Sequence, residues 1–284
     1  MVIMKIKLHL GYSGFCFAKA NHAVSGDEKK KIKFHSLYGL ILHPIKGWVL
    51  FDTGYTKRFY QLTNKYPNKI YSKLTRVHVE NKDEIILQLS SFGIKPSDVK
   101  HIIISHFHAD HIGGLMDFKN AKYYCSQSAY EQVKTISDYF AFSKGILKGL
   151  IPNDFEDRLI FIEKTSNVLN DSIFSFKYDL FNDNSIIVYN LPGHAAGQVG
   201  IEVQTSKFKY FLVSDSCWDR RAFENFKLPS SIVRLFIDSW SDYRKTLNKI
   251  NQYHNRYSEV NIIPSHCRKT TANFVNDTIQ MDVL

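Results

Sequence analysis

The most constraining feature of this 284-residue sequence is an apolar run, residues 99–104, that ends directly before a cluster of ionisable side chains. A short run rich in valine and isoleucine is typical of a strand buried on both faces of its sheet. Residues 106–111 then read His-Phe-His-Ala-Asp-His. Three imidazoles and a carboxylate are too polar to be buried without partners. We therefore expect a sheet-based fold whose strand end carries chemistry.

The rest of the chain alternates strand and helix patterns without a repeat or a low-complexity linker. This order predicts a layered α/β fold with a sheet core and outer helices, in a single domain over residues 1–284. Residues 55–80 are predicted to be a loop or partial helix. Residues 137–170 form a longer segment, for which a lid over the substrate and a packing insertion both stay open. Predicted strands span residues 5–10, 34–42, 48–51, 123–125, 159–162, 173–178, 186–189, 199–203, 210–213 and 260–263, and predicted helices 81–92, 126–136 and 241–253.

The formal net charge of +10 permits anionic substrates, nucleic acid or a membrane surface as partners. The basic residues are dispersed and do not alternate with aromatic residues as in a single-strand-binding surface. Nucleic acid is therefore not the expected partner. No apolar run approaches the ~20 residues of a membrane span, so we expect no membrane insertion.

Cysteine usage and the N-terminus bear on the compartment. The four cysteines are widely spaced and form no CxxC pair, which favours a reducing compartment. Residues 8–20 imitate a signal peptide, but lysine and histidine alternate with apolar residues over 5–10, which is strand periodicity. We expect a first strand and a cytoplasmic protein.

The His-rich run predicts a metal site. Imidazole and carboxylate groups are the ligands of a borderline cation such as Zn²⁺ at neutral pH. Four ligands so close in sequence cannot easily bind one ion, but they can serve two neighbouring ions if others join them. Three further candidates, His194, Asp215 and His266, each follow a predicted strand. A carboxylate such as Asp215 can bridge two ions about 3.5–4 Å apart.

These motifs together resemble the metallo-β-lactamase superfamily. The run at 106–111 matches its HxHxDH signature, and four further motifs match in order: Asp52-Thr53-Gly54, Pro192-Gly193-His194, Ser214-Asp215 and Ser265-His266. The resemblance covers nearly the whole chain. It implies an αβ/βα four-layer sandwich, with two mixed sheets, outer helices and a dinuclear site at one edge of the paired sheets.

The resemblance also implies a role for each residue of the site. One metal would be held by His106, His108 and His194, and the other by Asp110, His111 and His266. Asp215 and a water or hydroxide would bridge two Zn²⁺ per chain, with iron or manganese as alternatives. Asp110 and Asp215 are the expected catalytic residues, since Asp110 can also handle the proton of the leaving group. Asp52 would steady the ligand loop.

Within the superfamily, the chain is most similar to N-acyl homoserine lactone lactonases. The resemblance rests on the strands that lead to Asp52-Thr53-Gly54, the helix before Ser105 and the Leu-Pro-Gly-His turn. It implies a dinuclear hydrolase that opens a lactone ring, a small-molecule ester or lactone substrate, and a homodimer as one option for the oligomeric state. Those lactonases carry a tyrosine three residues after the bridging aspartate, where this chain has Trp218.

Two other reactions of the same fold stay open. A thioester hydrolase like glyoxalase II would need a basic C-terminal segment, whereas residues 270–284 are short and not rich in basic residues. A phosphodiesterase or nuclease would exploit the positive charge. The 50 residues between Asp215 and His266 are too few for the large inserted cap of some of these nucleases, but they leave room for a small phosphodiesterase.

Overall fold

The computed structural model describes residues 6–272, which form thirteen strands and ten α-helices. The strands are β1 (Lys7–Lys19), β2 (Lys31–His43), β3 (Gly47–Phe51), β4 (Val77–His78), β5 (Val99–Ile103), β6 (Lys122–Cys125), β7 (Leu159–Phe161), β8 (Asn167–Asp171), β9 (Ser175–Asp179), β10 (Ile186–Asn190), β11 (Val199–Gln204), β12 (Lys209–Ser214) and β13 (Asn261–Pro264). The helices are α1 (Ala20–Ala23), α2 (Arg58–Leu62), α3 (Lys69–Leu74), α4 (Ile85–Ser91), α5 (Ala109–Ile112), α6 (Gln127–Thr135), α7 (Ile162–Thr165), α8 (Arg220–Asn225), α9 (Trp240–Arg256) and α10 (Arg268–Thr271).

The strands form two mixed sheets. The first has seven strands in the order β4-β1-β2-β3-β5-β6-β7, and the second has six in the order β13-β12-β11-β10-β9-β8. In the first sheet β3, β5, β6 and β7 pair in parallel, while β1 pairs antiparallel with β2 and β4. In the second sheet only β12 and β13 pair in parallel.

Side-chain alternation along the strands divides the interior into three apolar layers. In β5, Ile103 packs between the two sheets, whereas Ile102 faces the helices outside the first sheet. In β10, Val188 faces the inter-sheet layer and Tyr189 faces the outer layer beside α9. Because neighbouring side chains point to opposite faces, strands buried on both faces must be apolar throughout. The predicted four-layer αβ/βα sandwich is confirmed.

Helix α9 shows how the outer layer is held in place. Tyr243, Leu247, Ile250 and Tyr253 recur at three- and four-residue spacing and are all buried against the second sheet. The hydroxyl of Ser239 caps the helix by accepting from the Asp242 N–H at 3.3 Å. The predicted helix at 241–253 is therefore confirmed, with ends that extend slightly further.

In two segments the structure adds to the sequence expectations. Strand β1 continues to Lys19, where a loop was expected; a bulge between Tyr12 and Phe15, with Gly14 at φ 74°, lets the pairing resume. Residue 5 of the predicted first strand lies outside the described residues. The segment 137–170 is partly core, since Ile146, Leu147, Leu150 and Phe155 are buried in the helix-side layer. Within residues 6–272 no helix is long and apolar enough to cross a membrane.

Candidate metal centre

All seven predicted ligands lie together at one edge of the two sheets. The first sheet delivers four of them, because β5 ends just before His106 and the short helix α5 starts at Ala109. The second sheet delivers the others, with His194 after β10, Asp215 after β12 and His266 after β13. Loops that follow neighbouring strands at a shared edge converge, so residues far apart in sequence meet.

The first group consists of His106, His108 and His194, whose ligand nitrogens lie within 4.8 Å of one another. His108 Nδ1 and His194 Nε2 are 3.0 Å apart. Three converging imidazole nitrogens are a typical ligand set for a zinc ion.

The second group consists of Asp110, His111, Asp215 and His266, again with ligand atoms within 4.8 Å of one another. Asp215 Oδ2 lies 3.1 Å from His266 Nε2 and 3.3 Å from His194 Nε2, which belongs to the first group. Asp215 Oδ1 lies 3.5 Å from His111 Nε2. Asp215 thus stands between the two groups, as a carboxylate that bridges two ions must.

Several ligand atoms are buried without a hydrogen-bond partner. They include His106 Nε2, His111 Nε2 and Asp215 Oδ1. A buried polar atom that has lost water and gained no partner destabilises the fold. Divalent cations would satisfy these atoms, so the donor set fits the two metals that the sequence implies.

The two groups differ in their electrostatics. Burial lowers the pKa of His194 to about 3 and that of His106 well below its usual value, so both stay neutral at pH 7. In the second group burial favours neutral side chains, but the carboxylates outweigh it and raise the pKa of His111 well above its usual value. Burial likewise favours a neutral Asp215, yet His266 and His111 hold the pKa of that carboxyl well below its usual range.

Asp52 supports the ligand residues through hydrogen bonds, in the role that the family resemblance implied. One carboxylate oxygen accepts from the Ser105 N–H at 2.8 Å, and the other accepts from Ser105 Oγ and His111 Nδ1, both at 2.7 Å. The bond to Nδ1 leaves His111 Nε2 free to bind a metal. Asp52 is fully buried and holds a left-handed φ of 59°, a strain that its three hydrogen bonds offset.

Two serines complete this support, and sequence reasoning gave them no role. Ser214 Oγ donates to Ser105 Oγ at 2.9 Å, which joins the ends of β12 and β5 across the two sheets. Ser214 also has a left-handed φ of 51°. In the sequence, the two serines are marked by their positions beside predicted ligands. This signal is weak, because serine is common next to strand ends.

Comparison with known families decides the identity of the fold. A family model described as the metallo-beta-lactamase superfamily matches residues 33–206, more than half of the chain. The chain belongs to the metallo-β-lactamase superfamily. The family predicted from the sequence, its fold and its enzymatic nature are confirmed.

Several proteins similar to this metallo-β-lactamase-fold chain are named as lactonases. A protein from Rhizobium radiobacter, named N-acyl homoserine lactonase AttM, is 27% identical over 198 residues, which cover 69% of each chain. A solved N-acyl homoserine lactone hydrolase with the product N-hexanoyl-L-homoserine at its catalytic metal center superposes with a TM-score of 0.74, at 17% identity over 96% of this chain and 97% of that one. A dizinc quorum-quenching lactonase in complex with a product superposes with a TM-score of 0.65, at 14% identity over 94% of this chain and 89% of that one.

Trp218 occupies the position at which the sequence departs from the lactonases. Its indole Nε1–H donates to Asp215 Oδ2 at 3.1 Å, and its ring lies 5.5 Å from that of His194. In this metallo-β-lactamase fold the residue therefore orients the central carboxylate. Its single N–H is already engaged with that carboxylate.

The first part of the segment 137–170 reaches the site. Gly145 has a φ of 71°, and its carbonyl accepts from the Ala109 N–H at 3.1 Å. A Cβ at Gly145 would lie 2.7 Å from His108 Cδ2. Residues 142–145 line the cavity above the ligands, whereas the later part of the segment packs in the core.

A cavity of about 710 Å³ opens onto both ligand groups. Five of the predicted ligands line it: His108, Asp110, His194, Asp215 and His266. Apolar side chains cover much of the remaining wall, among them Phe34, Phe142, Leu235 and Phe236. A volume of this size is typical of a small-molecule site.

Cys217 and Cys267, each close in sequence to a ligand, are buried. Cys217 packs in the apolar layer between the second sheet and its helices. There the small side chain of Cys217 fills space among larger apolar neighbours.

Proposed function

We propose that this protein is a dinuclear metal-dependent hydrolase that opens a lactone ring, such as that of an N-acyl homoserine lactone. The observation that carries the proposal is the pair of ligand groups sharing Asp215 between them at the floor of one cavity. Two bound divalent cations would lower the pKa of water toward neutrality and polarise the substrate carbonyl. The ligand residues His106, His108 and His194 would hold one cation, and the second group the other.

The remaining chemistry falls to the residues that line the cavity. The Asp110 carboxylate also lines the cavity, so it can take a proton from the attacking water and pass that proton to the leaving alkoxide as the ring opens. Phe142, Phe236 and the neighbouring apolar side chains offer a dry wall for an acyl chain. In this proposal residues 142–145 act as a lid over that chain.

In the lactonases that the sequence resembles, the tyrosine at the position of Trp218 assists the lactone carbonyl. Tryptophan has no hydroxyl for that role, so we infer that a tyrosine elsewhere in the cavity takes it. Tyr55 and Tyr71 both line the cavity. Burial and the nearby Asp110 raise the pKa of Tyr71 well above its usual value, so its hydroxyl keeps its proton and can donate to a substrate carbonyl. Tyr55 is fully buried, whereas Tyr71 is only partly buried, so we infer that Tyr71 is the donor and that Tyr71→Phe lowers kcat more than it raises KM.

The names of the relatives support the lactone as substrate. The protein from Rhizobium radiobacter is named an N-acyl homoserine lactonase, and the two solved structures are an N-acyl homoserine lactone hydrolase and a dizinc lactonase. We also infer a cytoplasmic location, because no disulfide joins the four cysteines, all of which are buried in the described part of the chain: Cys16, Cys125, Cys217 and Cys267.

The test is a parallel assay of the zinc-loaded protein on three substrates: an N-acyl homoserine lactone, a glutathione thioester and a phosphodiester. We expect two zinc ions per chain, lactone turnover, and loss of turnover with a chelator. His194→Ala should remove activity, whereas the control His78→Ala, an exposed histidine outside the site, should not.

Two results would contradict the proposal. Turnover of the thioester or the phosphodiester without lactone turnover would assign a different reaction. One metal ion or fewer per chain after reconstitution, measured by elemental analysis, would refute the dinuclear centre.

A further inference from the structure

The mouth of the cavity is lined by positive charge. Lysine and arginine side chains from four segments line it: Lys19, Lys29, Lys31, Arg76 and Lys144. Among the described residues, the only carboxylates that line the cavity are Asp110 and Asp215, and both belong to the ligand cluster at its inner end. The cavity is therefore polarised, with metal ligands inside and cations outside.

Strand pairing brings three of these cations together. Lys19 at the end of β1 lies directly opposite Lys31 at the start of β2. On the other side of β1, the Phe17 N–H donates to the Arg76 carbonyl at 3.2 Å. Lys19 and Lys31 thus lie on paired strands, with Arg76 directly before β4 on the other side of β1, although the sequence separates the three residues widely.

This cluster is not neutralised by the protein. Like charges directly opposite each other in a sheet are destabilising. Within residues 6–272, no carboxylate forms an ion pair with Lys19, Lys31 or Arg76, whereas Arg221 pairs with Asp27 at 2.6 Å. Lys31 Nζ instead lies 3.7 Å from the centre of the Phe17 ring, an aromatic contact that leaves its positive charge without a carboxylate partner among the described residues.

We propose that the cavity mouth binds an anionic group of the substrate, a carboxylate or a phosphate, remote from the bond that is cleaved. The proposal rests on the hydrolytic function and defines its substrate class further. Such a substrate has a hydrolysable carbonyl at the inner end, an apolar spacer along the wall, and an anion at the outer end. Cations around a concave site also focus the field and speed the arrival of an anion.

The experiment compares matched lactones on the zinc-loaded protein. The first is N-octanoyl homoserine lactone; the others replace the terminal methyl group of its chain by a carboxylate or a phosphonate. We expect kcat/KM at low salt to be at least about tenfold higher for an anionic analogue, mainly through KM, and this advantage to shrink at about 0.5 M salt. Comparing the two anionic arms identifies which anion is bound.

Charge-reversal variants locate the effect. The double variant Lys19→Glu/Lys31→Glu should remove the preference for the anionic analogue, measured as the ratio of its kcat/KM to that of the octanoyl lactone. The control is Lys119→Glu/Lys122→Glu, which makes the same change in net charge at exposed lysines outside the cavity and should keep the preference.

Three outcomes would overturn the inference. The first is an equal kcat/KM for the neutral and the anionic lactones, and the second is a control variant that loses the anion preference as fully as Lys19→Glu/Lys31→Glu does. The third is a double variant whose only defect is weaker binding to anionic phospholipid vesicles. Calorimetric binding of the ring-opened, non-hydrolysable analogues is measured in parallel. This binding measurement tests the anion preference even if the protein hydrolyses no lactone. In that case the proposed function fails, whereas tighter binding of the anionic analogues would still support the anion site.

Discussion

Replacing Asp52 by asparagine should weaken metal binding more than it weakens the fold. The carboxylate is fully buried and accepts hydrogen bonds from the backbone and side chain of Ser105 and from His111 Nδ1. Asparagine has the same shape and tolerates the left-handed φ of 59° at this position. The loop that leaves β3 should therefore keep its course.

The magnitude follows from what the amide cannot do. Its oxygen can still accept from Ser105, but its NH₂ group then faces the His111 Nδ1–H, so a charge-assisted bond worth about 1.5–3 kcal/mol is lost. His111 would favour the tautomer with its proton on Nε2, the atom that faces the metal. Loss of such a support typically reduces metal affinity about 10–100-fold.

The loss of fold stability should be smaller. Burial raises the pKa of Asp52 above its usual value, against the pull of His111, which shows that the charged form carries a desolvation penalty. Asparagine removes that penalty along with the bond. We expect the free energy of unfolding of the metal-free variant to fall by no more than about 2 kcal/mol.

The assay is a zinc titration against a competing chelating dye, with urea unfolding of the metal-free protein in parallel. The matched control is Asp183→Asn, because Asp183 Oδ2 lies 3.0 Å from His43 Nε2 in a carboxylate–histidine pair outside the site. This control should lose stability but keep its zinc affinity. Unchanged zinc affinity in Asp52→Asn, or an equal loss in both variants, would refute the reasoning.

The other predictions concern packing and pH. Gly145→Ala should lower kcat/KM at least about tenfold, because its Cβ would displace the His108 ring. The control Gly93→Ala has a similar φ of 74° but open space around it, so it should reduce stability and leave activity unchanged. Equal activities of the two variants would contradict this reasoning. Burial lowers the pKa values of His9 and His101 to about 4. Between pH 4 and 6.5 the unfolded chain therefore binds more protons than the folded protein, and the free energy of unfolding falls as the pH drops through that window. With partial exposure we expect about 1–2 kcal/mol from each histidine, and in urea unfolding the variant His9→Gln/His101→Gln should lose less stability than the wild type between pH 7 and 5.

The ligand set was predictable because strand ends are visible in a sequence. An apolar β-branched run indicates a strand, and the polar residues that follow it show where the chain leaves the sheet, as at His106 and His266. Parallel and neighbouring strands then bring such ends together without any further information. The family resemblance supplied the partition into two groups, which spacing alone left open.

The supporting residues were less predictable because their roles depend on contacts across the sheets. The sequence shows that Ser214 precedes a predicted ligand, but it does not show that the hydroxyl of Ser214 reaches Ser105, 109 positions away. The cationic mouth was hidden for the same reason. Lys19, Lys31 and Arg76 looked dispersed until β1 proved to run to Lys19 and to pair on both sides.

The bond between Ser214 and Ser105 has a thermodynamic consequence. It joins the two sheets at the metal centre, and each sheet also places one strained residue there, Asp52 and Ser214, at about 1–3 kcal/mol of backbone strain each. Neither sheet can form the seven-ligand cluster by itself, so a cation that binds the cluster must stabilise the packing of one sheet on the other. Zinc should therefore raise the Tm of the whole domain in one cooperative transition, and Ser214→Ala should reduce that rise. A zinc-induced shift confined to a separate, partial transition would show that the sheets fold independently of the site.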